Sequence, residues 1–190
     1  MLYLASQSPR RRELLTLIGV EHGVLEVDVP EQRQPGEPPA DYVSRVAREK
    51  AGAGLLAVMA VPGALVLGAD TEVVLGDTVY GKPADAADAA RMLGLLAGRT
   101  HQVITTIALR WEDETIVTAS ISAVTMRALS AGEIERYVAT GEPFDKAGAY
   151  AIQGRAAAFV ARIEGTYSGV MGLPLYETAD ALARIGFPVL

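Results

Sequence analysis

Three consecutive arginines, Arg10, Arg11 and Arg12, stand near the start of the stretch LASQSPRRRELLTLIG, residues 4–19. Ser8 is of a type that caps helices, and Pro9 suits the first helical position. Leu14, Leu15, Leu17 and Ile18 supply an apolar face, and Gly19 stands where a helix stops. A helix N-terminus already carries about half a positive charge, so each cation there costs about 0.3–1 kcal/mol. Two readings follow. Either the turn Ser8–Arg12 binds a multiply charged anion, with backbone N–H groups, helix dipole and guanidinium forks converging on it. Or the arginines are solvated, pairing with neighbours such as Glu13, and Arg12 suits that reading best. Asp70 is the second candidate. It follows the apolar run LVLGA and precedes Thr71. A carboxylate just past a strand end faces the ligand crevice of an α/β sheet, where it binds a divalent cation or takes a proton from water; the alternative is a turn aspartate serving backbone N–H groups. Lys82 in YGKP and Lys146 in DKAG place ammonium groups on tight loops, as phosphate recognition requires and as surface lysines also do. Glu31, in the loop PEQRQPGEPP at 30–39, is a further acidic candidate or a solvated one.

The elements that must position these groups alternate in type. Residues 2–5 read as a buried strand, 8–18 as a helix and 24–29 as a second strand. Residues 40–54 form a helix whose Tyr42, Val43, Val46 and Ala47 share one face, and Lys50 falls in the same arc. A lysine inside an apolar face either snorkels or faces a site. Residues 64–83 read as a strand, a break at Gly68–Asp70, another strand and a Gly-Asp turn; 84–97 form a helix stopped by Gly98. HQVITTIALRW and TIVTASISAVTM form a hairpin joined by Glu112–Glu114, with Val103, Thr105, Ile107, Leu109 and Trp111 on one face. Ser130 and Glu133 have the spacing of a capping box that opens a helix ending near Gly141. A Gly-punctuated loop (141–154), a strand in AAFVARI and a helix over 174–186 complete the chain. Mixed adjacent and crossover strands predict a twisted, mixed α/β sheet flanked by helices, with a second lobe built around the hairpin.

The chain has 190 residues, half of them apolar, which suffices for one domain or two tightly joined lobes; we read residues 1–190 as a single domain. Net charge is −6, so bulk attraction to nucleic acid or an anionic membrane is not expected and any anion site must be local. The lack of cysteine removes disulfides, thiolate metal sites and cysteine nucleophiles. Neither His22 nor His101 has a partner at zinc-ligand spacing. Neither the G-x-x-x-x-G-K-[ST] phosphate loop nor the G-x-S-x-G elbow is present. With no leader-like N-terminus and no apolar run of about 18 residues, a soluble cytoplasmic protein is the expectation.

Six blocks carry a resemblance: LASQSPRRRELL, GADTEVV, GKP, GRTHQVITT, GEPFDKAGAYAIQG and IEGTYSGVMGLPLYET. In this order and at these intervals the sequence resembles the Maf family of nucleoside triphosphate pyrophosphatases, nearly end to end. The resemblance implies a two-lobed mixed α/β fold with a deep cleft, of the kind seen in inosine triphosphatase-like house-cleaning enzymes. It implies cleavage between the α- and β-phosphates of a nucleoside triphosphate, to the monophosphate and diphosphate, with a divalent cation such as Mg²⁺ or Mn²⁺. Asp70 then matches the family's proton acceptor, and Arg10, Thr71 and Gln153 match its specificity positions. An Arg, Thr and Gln set resembles the branch acting on dTTP and UTP; a sister branch prefers 7-methyl-GTP, and the family's division-related name leaves a non-catalytic nucleotide-binding regulator as a further alternative. The resemblance also suggests a homodimer. Glu72 departs from the family's usual apolar residue after the Asp-Thr pair.

The residue reading and the resemblance combine into one scheme. Ser8, Arg10, Lys50, Lys82 and Lys146 hold the triphosphate, and Asp70, with Glu31, holds a divalent cation. Asp70 or a metal-bound water delivers the nucleophile to the α-phosphorus; a carboxylate tight on a metal is a poor base, so these two roles compete. Gln153 carries both a donor and an acceptor, as does the edge of uracil or thymine. Its alternative role is to brace its own loop.

Overall fold

The computed structural model describes residues 1–189. Their strands form one seven-stranded mixed sheet flanked by helices, ordered β2-β1-β3-β5-β6-β7 with β4 paired to β3. The strands are β1 (Leu2–Ala5), β2 (His22–Leu25), β3 (Leu65–Leu75), β4 (Thr78–Tyr80), β5 (Thr100–Trp111), β6 (Glu114–Met126) and β7 (Val160–Glu164). The helices are α1 (Pro9–Leu17), α2 (Pro39–Ala57), α3 (Ala86–Leu96), α4 (Ala131–Val138), α5 (Tyr167–Met171) and α6 (Leu175–Arg184). The chain divides into two compact units: Met1–Asp70, Thr105–Ser120 and Gly172–Leu190 form the first, Thr71–Ile104 and Ile121–Met171 the second. No helix among the described residues is long and apolar enough to cross a membrane.

In the first unit β1 pairs in parallel with β2 and with β3, Ala5 lying opposite Leu25 on one side and Gly68 on the other. Helix α2 packs on these strands through small residues. A Cβ at Gly68 would stand 2.4 Å from the Ala47 carbonyl oxygen and 2.5 Å from the Ala51 nitrogen. One at Gly54 would stand 2.7 Å from Val66 Cγ1 and 2.9 Å from Ala5 Cβ. The predicted break at Gly68–Asp70 is therefore corrected. β3 runs unbroken from Leu65 to Leu75, and Gly68 marks a close helix approach rather than a turn. Central β5 is buried on both faces from Val103 to Leu109, beyond the single face that its alternation predicts.

In the second unit the core gathers Val73, Tyr80, Leu93, Leu96, Val124, Ile134, Tyr137, Ile152 and Phe159 with their neighbours. The Ser130 capping box is formed: the Ser130 hydroxyl accepts from the Glu133 N–H, and the Glu133 carboxylate accepts from the Ser130 N–H. Three expectations shift. The second strand lies at 22–25 rather than 24–29, and the hairpin connection is the two residues Glu112–Asp113. The strand expected in AAFVARI starts only at Val160, because Arg155–Phe159 wind into a 3₁₀ turn. Helix α5 has no counterpart in the sequence reading.

Candidate active site

The first unit assembles an acidic centre around one ammonium. Lys50 projects from α2 and is 8% exposed; Asp70, two residues past Gly68 on β3, is 4% exposed. Lys50 Nζ donates to Asp70 Oδ1 at 2.8 Å and pairs with Glu31 Oε1 at 2.6 Å. The sequence left Lys50 either to snorkel or to face a site; its ammonium is turned inward onto two carboxylates. The glycine contact at Gly68 explains the pairing: without a side chain there, α2 lies directly on β3, and the same Ala47–Ala51 turn carries Lys50 to Asp70. Asp70 Oδ2 is buried with no hydrogen-bond partner. A carboxylate oxygen left bare at such depth costs about 1–3 kcal/mol unless something arrives to use it.

Glu31 belongs to the Pro-rich loop, and an ion-pair clasp holds that loop on α2. The Arg45 guanidinium places Nε on Glu37 Oε1 at 2.7 Å and Nη2 on Glu37 Oε2 at 3.0 Å. It also donates to the Gln32 carbonyl at 2.9 Å, the residue after Glu31, and to Glu49. The Arg45 fork, seconded by the Gln34 N–H, lowers the Glu37 carboxyl to about 2. The sequence reading missed this clasp, although Arg45 and Glu49 stand four residues apart on a predicted helix, which is a legible pairing signal.

The arginine turn sorts into distinct roles. Ser8 takes the N-cap position with extended backbone but makes no side-chain cap bond; its own N–H donates to Ser6 Oγ at 3.2 Å. Arg11 turns inward, 9% exposed, donating from Nε to the Gly172 carbonyl at 2.8 Å and from Nη1 to Ser6 Oγ at 3.1 Å. It is a structural brace, and the signal was present: Arg11, Leu14 and Leu15 share one helical face. Arg12 is exposed and Arg10 half-buried. Because β1 and β3 are parallel with Ala5 opposite Gly68, the start of α1 and Asp70 both lie just beyond the end of the β1–β3 ladder, on the side where β1 has its carboxyl end, a usual place for ligands in an α/β sheet.

The second unit positions the other candidates. Thr71 follows Asp70 directly on β3. Lys82 is exposed and Lys146 half-buried, and their loops are tied together by the Gly148 N–H, which donates to the Gly81 carbonyl at 3.1 Å. Gly148 has φ 68°, and a Cβ there would stand 2.8 Å from Val73 Cγ2, so only glycine fits this tie. Gln153 is exposed on a loop whose neighbours Ala151, Ile152 and Ala156 are buried.

The carboxylates also bear on a cation. Among the described residues no group of three or more His, Cys, Asp or Glu side chains is placed to hold a metal. Two carboxylates converging on one ammonium, with an unused buried oxygen, fit a cation such as Mg²⁺, which takes one or two protein carboxylates and leaves its other positions to water and phosphate oxygens.

A family model described as Maf-like protein matches residues 1–185. The chain belongs to this family. The Maf-like chain is 56% identical over 188 residues to a protein of Xanthomonas campestris pv. campestris named dTTP/UTP pyrophosphatase, covering 98% of this chain and 99% of that one. It is 52% identical over 191 residues to a protein of the same name from Bordetella avium, covering 97% and 95%. Among solved structures, the Ham1 protein of Staphylococcus aureus is 15% identical with a TM-score of 0.46, covering 83% of this chain and 90% of that one. No chemistry is transferred at that score.

Proposed function

We propose that this Maf-like chain hydrolyses dTTP and UTP to the monophosphate and diphosphate. Asp70 carries the reading: a buried carboxylate with one oxygen held by Lys50 and the other open, in a chain whose relatives of more than half identity bear that enzyme's name. Asp70 Oδ2 accepts the proton of a water as its oxygen bonds to the α-phosphorus. The bond from the α-phosphorus to the oxygen it shares with the β-phosphorus breaks, and diphosphate leaves with that oxygen. Lys50 fixes the Asp70 carboxylate through Oδ1, so the open oxygen keeps one orientation. Glu31 and Asp70 are the residues that would hold a divalent cation, Mg²⁺ or Mn²⁺, which neutralises phosphate charge and acidifies water when bound. Glu31 would be the principal ligand of such a cation, which would keep Asp70 Oδ2 for the proton. Ser8, Arg10, Lys82 and Lys146 are assigned to the phosphates and Thr71 and Gln153 to the base. Positioning and charge stabilisation account for most of the acceleration in such transfers.

The test is a panel of triphosphates, dTTP, UTP, dCTP, dATP and 7-methyl-GTP, assayed for diphosphate release with Mg²⁺ and with Mn²⁺. dTTP and UTP are expected to lead, and Asp70→Asn is expected to lose at least about a hundredfold in kcat. Near-normal turnover by Asp70→Asn overturns the assignment. A lead by 7-methyl-GTP moves the chain to the sister branch, and nucleotide binding without turnover makes it a regulator.

A further inference from the structure

An amide that reads a base has a weakness. Uracil and thymine present an acceptor oxygen beside an N–H donor; cytosine presents the reverse order. A Gln side chain that turns over by 180° satisfies both equally well. Gln153 therefore discriminates only if the loop beneath it holds it one way round.

That loop is fastened on both sides of Gln153 to one pair of side chains. Glu142 Oε2 accepts from the Arg155 N–H at 3.0 Å, and Oε1 accepts from the Ala156 N–H at 3.3 Å. The Tyr137 hydroxyl donates to Glu142 Oε1 at 2.8 Å and accepts from the Ala151 N–H at 3.2 Å. Peptide donors before and after Gln153 thus end on a single tyrosine–glutamate unit. The approach is close: a Cβ at Gly154 would stand 2.5 Å from the Glu142 carboxylate. Tyr137 is itself fixed, its ring edge-on to Phe159 with centroids 5.2 Å apart. Burial opposes the charge on Glu142, but the Arg155 and Ala156 amides and the Tyr137 hydroxyl outweigh it and hold the carboxyl below its usual value. On the residue before Ala151, the Tyr150 hydroxyl meets His101 Nε2 at 2.8 Å.

We propose that Glu142, with Tyr137 as its relay, is a positioning residue for base selection, fixing the backbone that presents Gln153. The inference rests on the assignment of Gln153 to the base. A carboxylate is required because two acceptor oxygens must serve three donors; a carboxamide turns an NH₂ group against an N–H.

The experiment is a double-mutant cycle of Glu142→Gln and Gln153→Ala, read as the ratio of kcat/KM for dTTP over dCTP. Glu142→Gln alone is expected to lower this ratio about tenfold. In the Gln153→Ala background the same change is expected to move it by less than about twofold, because the residue it acts through is gone. A folded Glu142→Gln enzyme with an unaltered ratio overturns the proposal. So does an equal fall in both backgrounds, which would mean that Glu142 acts elsewhere. If Glu142→Gln does not fold, Tyr137→Phe replaces it, with an expected fall of about threefold; an unchanged ratio there overturns the proposal as well. Gln153→Ala alone, leaving the base ranking intact, overturns the base assignment and this inference with it, and that single variant tells the two failures apart.

Discussion

At the scale of single residues, the decisive feature is one ammonium serving two carboxylates. Lys50 meets Asp70 and Glu31 at 2.8 and 2.6 Å, and both Lys50 and Asp70 are almost fully buried. Removing one partner of a buried pair costs about 3–5 kcal/mol, because the remaining charge stays where water cannot reach it. Lys50→Met is therefore expected to lower the melting temperature in the absence of divalent cations. Millimolar Mg²⁺ or Mn²⁺ is expected to recover more of that loss than it adds to the parent, since a cation can then stand between the two carboxylates. Melting curves of both proteins with and without the ion check this, and equal shifts would count against these carboxylates as cation ligands. Arg11 teaches the opposite lesson. Three adjacent arginines of one type separate into a buried brace, a half-buried candidate ligand and a solvated side chain.

At the scale of elements, the contact of α2 with β3 sets the site. Gly68 has no room for a methyl group, since the atoms in the way are backbone of Ala47 and Ala51 rather than movable side-chain ends. Gly68→Ala is expected to destabilise the chain by about 1–3 kcal/mol or more. It should also depress activity beyond what its stability loss explains, because the displaced helix carries Lys50 away from Asp70. Urea titration and kcat measured well below the midpoint separate the two effects.

This contact also marks how far the sequence could be read. The Lys50 arc and the Ser130–Glu133 capping box were legible, because periodicity and capping chemistry are local properties. Asp70 was legible as a carboxylate after a buried run. Gly68 was misread as a break, because a glycine that ends a strand and one that admits a helix look alike until the helix is in place. The Glu142–Tyr137 unit left no trace in the spacing. It depends on peptide N–H groups 13 and 14 residues further along from its two side chains, and no pattern of residue types records which backbone donors a carboxylate will meet. Helix α5 spans only Tyr167–Met171, too short for a helical period to declare itself.

At the scale of the whole molecule, the chain is acidic, with a net charge of −6, yet its candidate phosphate donors are cationic. Attraction for a nucleotide is therefore expected to come from local cations rather than from the chain's bulk charge. The second unit encloses a titratable group. His101 is 2% exposed; burial lowers its imidazole from 6.5 to about 4. Between those values the unfolded chain takes up a proton that the folded chain refuses. Stability is therefore full above about pH 6.5 and falls as pH drops towards 4, by roughly 3 kcal/mol over the window. Thermal melts from pH 7 to pH 4.5 are expected to show this decline, and His101→Asn is expected to flatten it. A parent curve that stays level over this range would mean that His101 does not resist protonation.

The tie between the Gly148 N–H and the Gly81 carbonyl bears on how such a protein can change over generations. One backbone hydrogen bond anchors the stretches bearing Lys82 and Lys146 to each other, so neither cation is an independent part. A lineage that loosens the anchor to relocate one of them displaces the second in the same step, and the pair is inherited or lost together.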